Sequence, residues 1–192
     1  MCNLYSMTRN VDAVRSLFKD AGLTLSFPEG VPNFQPRDVR ITDKAPIVRL
    51  TAEGAHELVE RRWSWPGPGG KPVFNYRADG RKFSSGRCLI LADAFYEFVS
   101  PDDPSNRRKK RIRFRPADGG AFSIAGLVRE DATAGEAFTM LTMPPGPDVA
   151  PYHGRQVAVL RPELWAGWLS ADPVGADFLP VCERGSLVAD TD

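Results

Sequence analysis

A single α+β domain, richer in sheet than in helix, is the fold class this sequence predicts, and three observations predict it. At 192 residues the chain is long enough for one well-buried core and short for two. Glycine and proline, at 17 each, supply many turns, which suits strands and loops better than a helix bundle. Most apolar residues fall in short runs bounded by turn signals, the length of strands.

The elements follow in order. Asn10 precedes Val11, Val14, Leu17 and Phe18, an apolar stripe at helical spacing, and Gly22 stops it, so a helix is expected over residues 11–21. Residues 27–36, rich in proline and holding Asn33-Phe34-Gln35-Pro36, should form an irregular loop. Residues 47–50 read as a strand, with residues 58–65 pairing across a turn at Glu53-Gly54; a helix over residues 52–62 fits the pattern nearly as well. Trp65-Pro66-Gly67-Pro68-Gly69-Gly70 continues neither element and is a loop that delivers the chain to Phe74-Asn75-Tyr76-Arg77.

Residues 88–92 are an unbroken apolar run of buried-strand length, followed by Phe95-Tyr96-Glu97-Phe98, where a carboxylate stands among three aromatics. Residues 107–115 hold the one block of charge. In its second half Arg111, Arg113 and Arg115 alternate with Ile112 and Phe114, the period of a strand with one wet face. A hairpin tip solvated by lysine and arginine explains this block more simply than contact with phosphates. Residues 122–128, 138–143 and 157–160 complete the strands. Pro162 then opens a short helix whose Leu164, Trp165, Trp168 and Leu169 share a face, ended by Asp172-Pro173.

Composition excludes several classes of function. A net charge of +1 creates no global field toward nucleic acid or membrane, so an anionic partner must meet a local patch. The chain start lacks the charged and apolar regions of a secretory leader, and no apolar run is long enough to span a bilayer, so no membrane association and a cytoplasmic location are expected. Three cysteines without metal-ligand spacing argue against a disulfide framework, and the two histidines, His56 and His153, make no zinc site. No metal and no cofactor are expected.

The chemistry starts at the first residues, Met1-Cys2-Asn3-Leu4. Once Met1 is removed, Cys2 carries an α-amine and a thiol on adjacent carbons, a specific trap for aldehydes. The amine condenses to an imine and the thiol closes on the imine carbon, giving a five-membered thiazolidine. Free groups of these types titrate near ~8 and ~8.5, so useful fractions of neutral amine and thiolate are expected at neutral pH. Taken singly, Asn75, Arg77, Glu97 and His153 read most simply as turn, surface, strand and loop residues.

Together they form a pattern. The Met1-Cys2 start, Asn-x-x-Pro at Asn33 to Pro36, an aromatic-proline loop, Phe-Asn-x-Arg ending at Arg77, Arg87-Cys88-Leu89, Phe-Tyr-Glu-Phe ending at Phe98, and His-x-Arg at His153 to Arg155 occur in that order. From Cys2 to about Trp168 this resembles the SOS response-associated peptidase (SRAP) family. The resemblance implies a curved, β-barrel-like, mostly antiparallel sheet with a few flanking helices, and a positively charged cleft for single-stranded DNA. It implies that Cys2 captures an abasic site, whose ring-opened deoxyribose is an aldehyde, as a covalent crosslink that shields the lesion from strand cleavage. Carried over by motif, Cys2 is the nucleophile, Glu97 the general acid/base, Asn75 the residue that holds the Cys2 amine or the sugar, and His153 the stabiliser of the opened sugar. Arg77 and Arg155 would contact phosphates, as would the Asn33 loop. The expected partner is single-stranded DNA containing abasic sites, bound by a monomer that joins the nucleoid when on DNA.

This chain departs from the family at several points. Cys2-Asn3-Leu4-Tyr5 replaces Cys-Gly-Arg-Phe, Trp63-Ser64-Trp65-Pro66 replaces Trp-Gly-x-x-Pro, and His153-Gly154-Arg155-Gln156-Val157 replaces His-x-Arg-Met-Pro. Asp79 stands where glutamate is common. Two other functions compete: a cysteine-type peptidase acting on its own Met1-Cys2 bond, with Cys2 as nucleophile and His153 as base, and a non-catalytic single-strand binder using Arg77, Arg155 and the basic block.

Overall fold

Five strands, Lys44–Leu50, His56–Trp63, Arg87–Ala92, Phe122–Asp131 and Gly135–Met143, close into a barrel in the computed structural model, which describes residues 2–101, 105 and 107–191. Met1, whose removal is expected from the sequence, lies outside the described residues. Four of the five contacts around the ring are antiparallel. An odd number of strands cannot alternate direction all the way round, so one contact must be parallel. It is the seam where Ala137 faces Arg62 and Phe138 faces Trp63. Asn75–Arg77 continues along the same edge, placing Asn75 opposite Met140.

The segment that fits strand and helix equally in sequence is a strand. His56–Trp63 pairs with Lys44–Leu50, Val59 opposite Ile47, and the turn between them has Gly54 at φ 84°, open to glycine at no steric cost. Pairing decides the matter, because residues with a mixed pattern take the conformation that satisfies their neighbours' backbone groups. Residues 157–160 are not one strand: Gln156–Val157 pairs with Gly135–Met143, whereas Val159–Leu160 pairs with Phe122–Asp131. Ala158 bridges the two, its N–H donating to Leu141 at 2.9 Å and its carbonyl accepting from Ala125 at 2.8 Å. The loop after Trp65 contains one small hairpin, Trp65–Pro66 against Pro72–Val73.

A second sheet, antiparallel throughout, runs Leu187–Thr191, Lys110–Pro116, Ala94–Val99, Leu4–Met7, Arg37–Arg40. The predicted alternation holds in Lys110–Pro116: Ile112 and Phe114 are buried, while Arg111 lies 3.5 Å from Asp38 and Arg115 2.9 Å from Asp190.

The ring strands bury both faces, which is why Arg87–Ala92 reads as a continuous apolar run. One face, with Val48, Leu58, Leu89 and Leu141, packs on the helix Val11–Asp20 and on Trp165 and Trp168. Asn10 caps that helix, its side-chain oxygen accepting from the Ala13 N–H at 2.9 Å, and Phe18 stacks on Trp165 at 4.4 Å. The expected helix after Pro162 is a 3-10 turn, Pro162–Leu164, running into Trp165–Trp168. Arg87 fastens it: its buried guanidinium donates to the carbonyls of Trp168 and Asp172, both at 2.7 Å, and to those of Phe83 and Ser170. The other face of the ring, with Ile47, Val59, Trp63, Ile90 and Phe138, packs against the second sheet through Tyr5, Phe95 and Phe114, and this core includes Cys2. Among the described residues no helix is long and apolar enough to cross a membrane.

Candidate active site around Cys2

Cys2 enters the core because the strand it precedes, Leu4–Met7, is clamped between Ala94–Val99 and Arg37–Arg40. The cysteine is 1% exposed, and its thiol donates to the Leu4 carbonyl at 3.1 Å. Asn75, at the end of the barrel seam, donates from Nδ2 to the Cys2 carbonyl at 2.7 Å. Its Oδ1 is buried with no hydrogen-bond partner, an acceptor oxygen on the same amide that holds Cys2.

Glu97 stands on the neighbouring strand and is also 1% exposed. Burial raises its carboxyl above the ordinary carboxylate range, while neighbouring His153 and the Cys2 backbone N–H favour the anion. Burial likewise pushes the Cys2 thiol up to about 12, with the nearby Glu97 carboxylate adding to the effect. This corrects the sequence expectation of an untuned thiol: in the folded chain Cys2 rests protonated at neutral pH.

His153 is carried by a turn locked from below. The N–H groups of Tyr152 and His153 donate to the carbonyl of fully buried Val149, at 2.9 and 3.0 Å. The imidazole Nε2 lies 3.9 Å from Glu97 Oε2. On its other side Nδ1 is bracketed by the Arg155 backbone, N–H at 3.0 Å and carbonyl oxygen at 2.8 Å. Either neutral tautomer therefore finds a partner at Nδ1, an arrangement suited to a group that gives and takes protons.

The structure thus gathers Cys2, Asn75, Glu97 and His153. Arg77 is exposed on the strand that carries Asn75. Arg155 is engaged: its guanidinium makes a two-pronged contact with Asp79, at 2.9 and 2.6 Å, and donates to the Thr142 carbonyl at 2.7 Å. The same contact lowers the Asp79 carboxyl below its usual range. In the sequence Asp79 stands out only as a substitution. The signal for its role was its place two residues after Arg77, where the chain leaves the strand. Asn33 is elsewhere, exposed in the irregular loop beside Met7 and Glu60, at the far end of Leu4–Met7 from Cys2. Among the described residues no group of three or more histidine, cysteine or acidic side chains could hold a metal ion.

The chain matches the family model described as SOS response associated peptidase (SRAP) over residues 1–182. Comparison with curated proteins finds no match. Solved structures share the fold. A protein from Bordetella bronchiseptica is 24% identical with a TM-score of 0.69, covering 100% of this chain and 99% of that one. A Bacteroides thetaiotaomicron protein is 18% identical with a TM-score of 0.73, covering 99% and 91%. A phage-related protein from Bordetella bronchiseptica is 19% identical with a TM-score of 0.74, covering 100% and 94%.

Proposed function

The chain belongs to the SOS response associated peptidase (SRAP) family, and from that premise we propose that it captures abasic sites in single-stranded DNA through Cys2. The observation that carries the reading is the anchoring of a near-terminal cysteine by Asn75, with the Glu97 and His153 pair beside it. After loss of Met1, the Cys2 α-amine adds to the C1′ aldehyde of the opened deoxyribose. Loss of water leaves an imine. The thiol then adds across the C=N bond, its sulfur bonding to carbon and its proton passing through Glu97 to the nitrogen, and the thiazolidine is complete.

Each residue has a task in this sequence. A carboxyl raised by burial is a better proton donor near neutrality than an exposed one, so Glu97 protonates the departing hydroxyl and later receives the thiol proton. Asn75 fixes the carbonyl of Cys2 so that amine and thiol face one point, and positioning of this kind converts an encounter into an effectively intramolecular step. His153 exchanges a proton with Glu97 and stabilises the opened sugar. Arg77 contacts the phosphate backbone, whereas Arg155 acts chiefly by holding the His153 turn to Asp79 and Thr142. Lesion choice then needs no reading of a base.

The test incubates protein lacking Met1 with an oligonucleotide containing one abasic site and resolves the mixture on a denaturing gel. A slowed band from the wild type, absent with Cys2→Ala, is expected. No such band, or an equal band from Cys2→Ala, overturns the proposal.

A further inference from the structure

Consecutive residues of one turn meet adjacent members of one sheet face. Residues two apart on a strand share a face, and the register pairs Phe95 with Phe114 and Glu97 with Ile112, so these four side chains line the same side of the second sheet. The turn above Val149 lies on that side. Its His153 reaches Glu97, and its Tyr152 packs against Phe114 in a T-shaped ring contact, centroids 5.5 Å apart and planes at 74°. Phe114 is fixed in turn, fully buried and stacked on Phe95 at 5.1 Å.

Tyr152 nevertheless stays 38% exposed and is the one aromatic among the large exposed hydrophobic side chains of the described residues. Its ring is held by Phe114 and is partly open to solvent, one residue from the imidazole. A held ring binds a flat partner at small cost in conformational entropy. An abasic site supplies such a partner, because the missing base leaves the face of each neighbouring base uncovered. We propose that Tyr152 stacks on the nucleobase next to the captured sugar and so selects a single isolated lesion within otherwise intact DNA. The proposal rests on the capture reading above. Stacking is tolerant of base identity, so it adds affinity without a sequence preference.

The experiment measures binding by fluorescence anisotropy to a single-stranded oligonucleotide carrying a tetrahydrofuran abasic analogue, which has no aldehyde and cannot form the covalent bond. One version has ordinary bases on both sides of the analogue; the other has baseless linkers there. Tyr152→Ala should weaken binding to the first about tenfold, and Tyr152→Leu, which still covers Phe114, should weaken it similarly. Tyr152→Phe should stay within about twofold, since the ring and not the hydroxyl carries the contact. On the baseless version all four proteins should bind alike. Equal binding of wild type and Tyr152→Ala to the first version, an equal loss on both versions, or no wild-type binding to the analogue overturns the proposal. The aldehydic oligonucleotide is run separately on a denaturing gel. If it gives no crosslink while the analogue shows the pattern above, the capture reading falls and the stacking contact stands.

Discussion

The side-chain amide of Asn75 donates to the backbone carbonyl of Cys2 across 2.7 Å, joining residues 73 positions apart. The bond is neutral, so its loss in Asn75→Ala should cost only about 1 kcal/mol, a fall in Tm of ~2–4 °C for a chain this long. Its effect on geometry is larger: single-turnover crosslinking should slow by about tenfold or more, because the amine and thiol lose their common aim. A gel time course beside a melting curve separates the two effects. An unchanged rate would mean that the strand clamp alone aims Cys2.

Glu97 should leave a signature in the pH dependence of stability. Its carboxyl is raised by burial, so the folded chain binds the proton more tightly than the unfolded chain does. The stabilisation is therefore complete below the unfolded value of about 4.3 and declines as pH rises through the raised folded value. Glu97→Gln keeps the shape and removes the titration. Urea midpoints measured from acid to neutral pH should converge at the acid end and favour Glu97→Gln above the raised value; parallel profiles would show that the carboxyl is not strained by burial.

The three thiols should react in sequence. Cys2 and Cys88 are buried and burial raises both, Cys2 to about 12. Cys182 is also raised but only partly buried, in the wall of a cleft with Arg161 and Ser186. A chromogenic disulfide reagent should therefore show one fast thiol in the native protein and three in denaturant. Cys182→Ser should abolish the fast phase, and its persistence would place a reactive thiolate at Cys2 instead.

Ser64 is a built-in defect. It sits at φ 89°, in the region that favours glycine, and its buried hydroxyl has no partner. Its N–H donates to the Phe138 carbonyl at 2.7 Å beside the seam, which holds the residue in that conformation. Ser64→Gly should raise stability by about 1 kcal/mol, seen as a Tm increase of ~2–4 °C. A lower Tm would mean that the backbone there is not strained.

What was legible in sequence was local. Asn10 with its apolar stripe, the alternation through Arg111 to Arg115, and the apolar run before Ala92 each carry their own period, so helix and strands could be read without knowing their neighbours. Closure of the ring could not, because the contact of Phe138 with Trp63 depends on partners far apart in the chain. The same division runs through the site. Cys2, Asn75, Glu97 and His153 were singled out by the resemblance of their ordered motifs to a family, yet the raised Cys2 thiol and the Asp79 clamp on Arg155 arise from burial and proximity that no local pattern encodes.

Vectorial synthesis gives the seam a temporal meaning. Cys2 is synthesised before the strand end bearing Asn75, which docks along Met140, and before residue 153, which supplies the imidazole. Until residue 153 has been made, a nascent polypeptide lacks part of what surrounds Cys2 in the folded chain. The pocket around Cys2 is therefore completed late in synthesis, by residues far downstream of it.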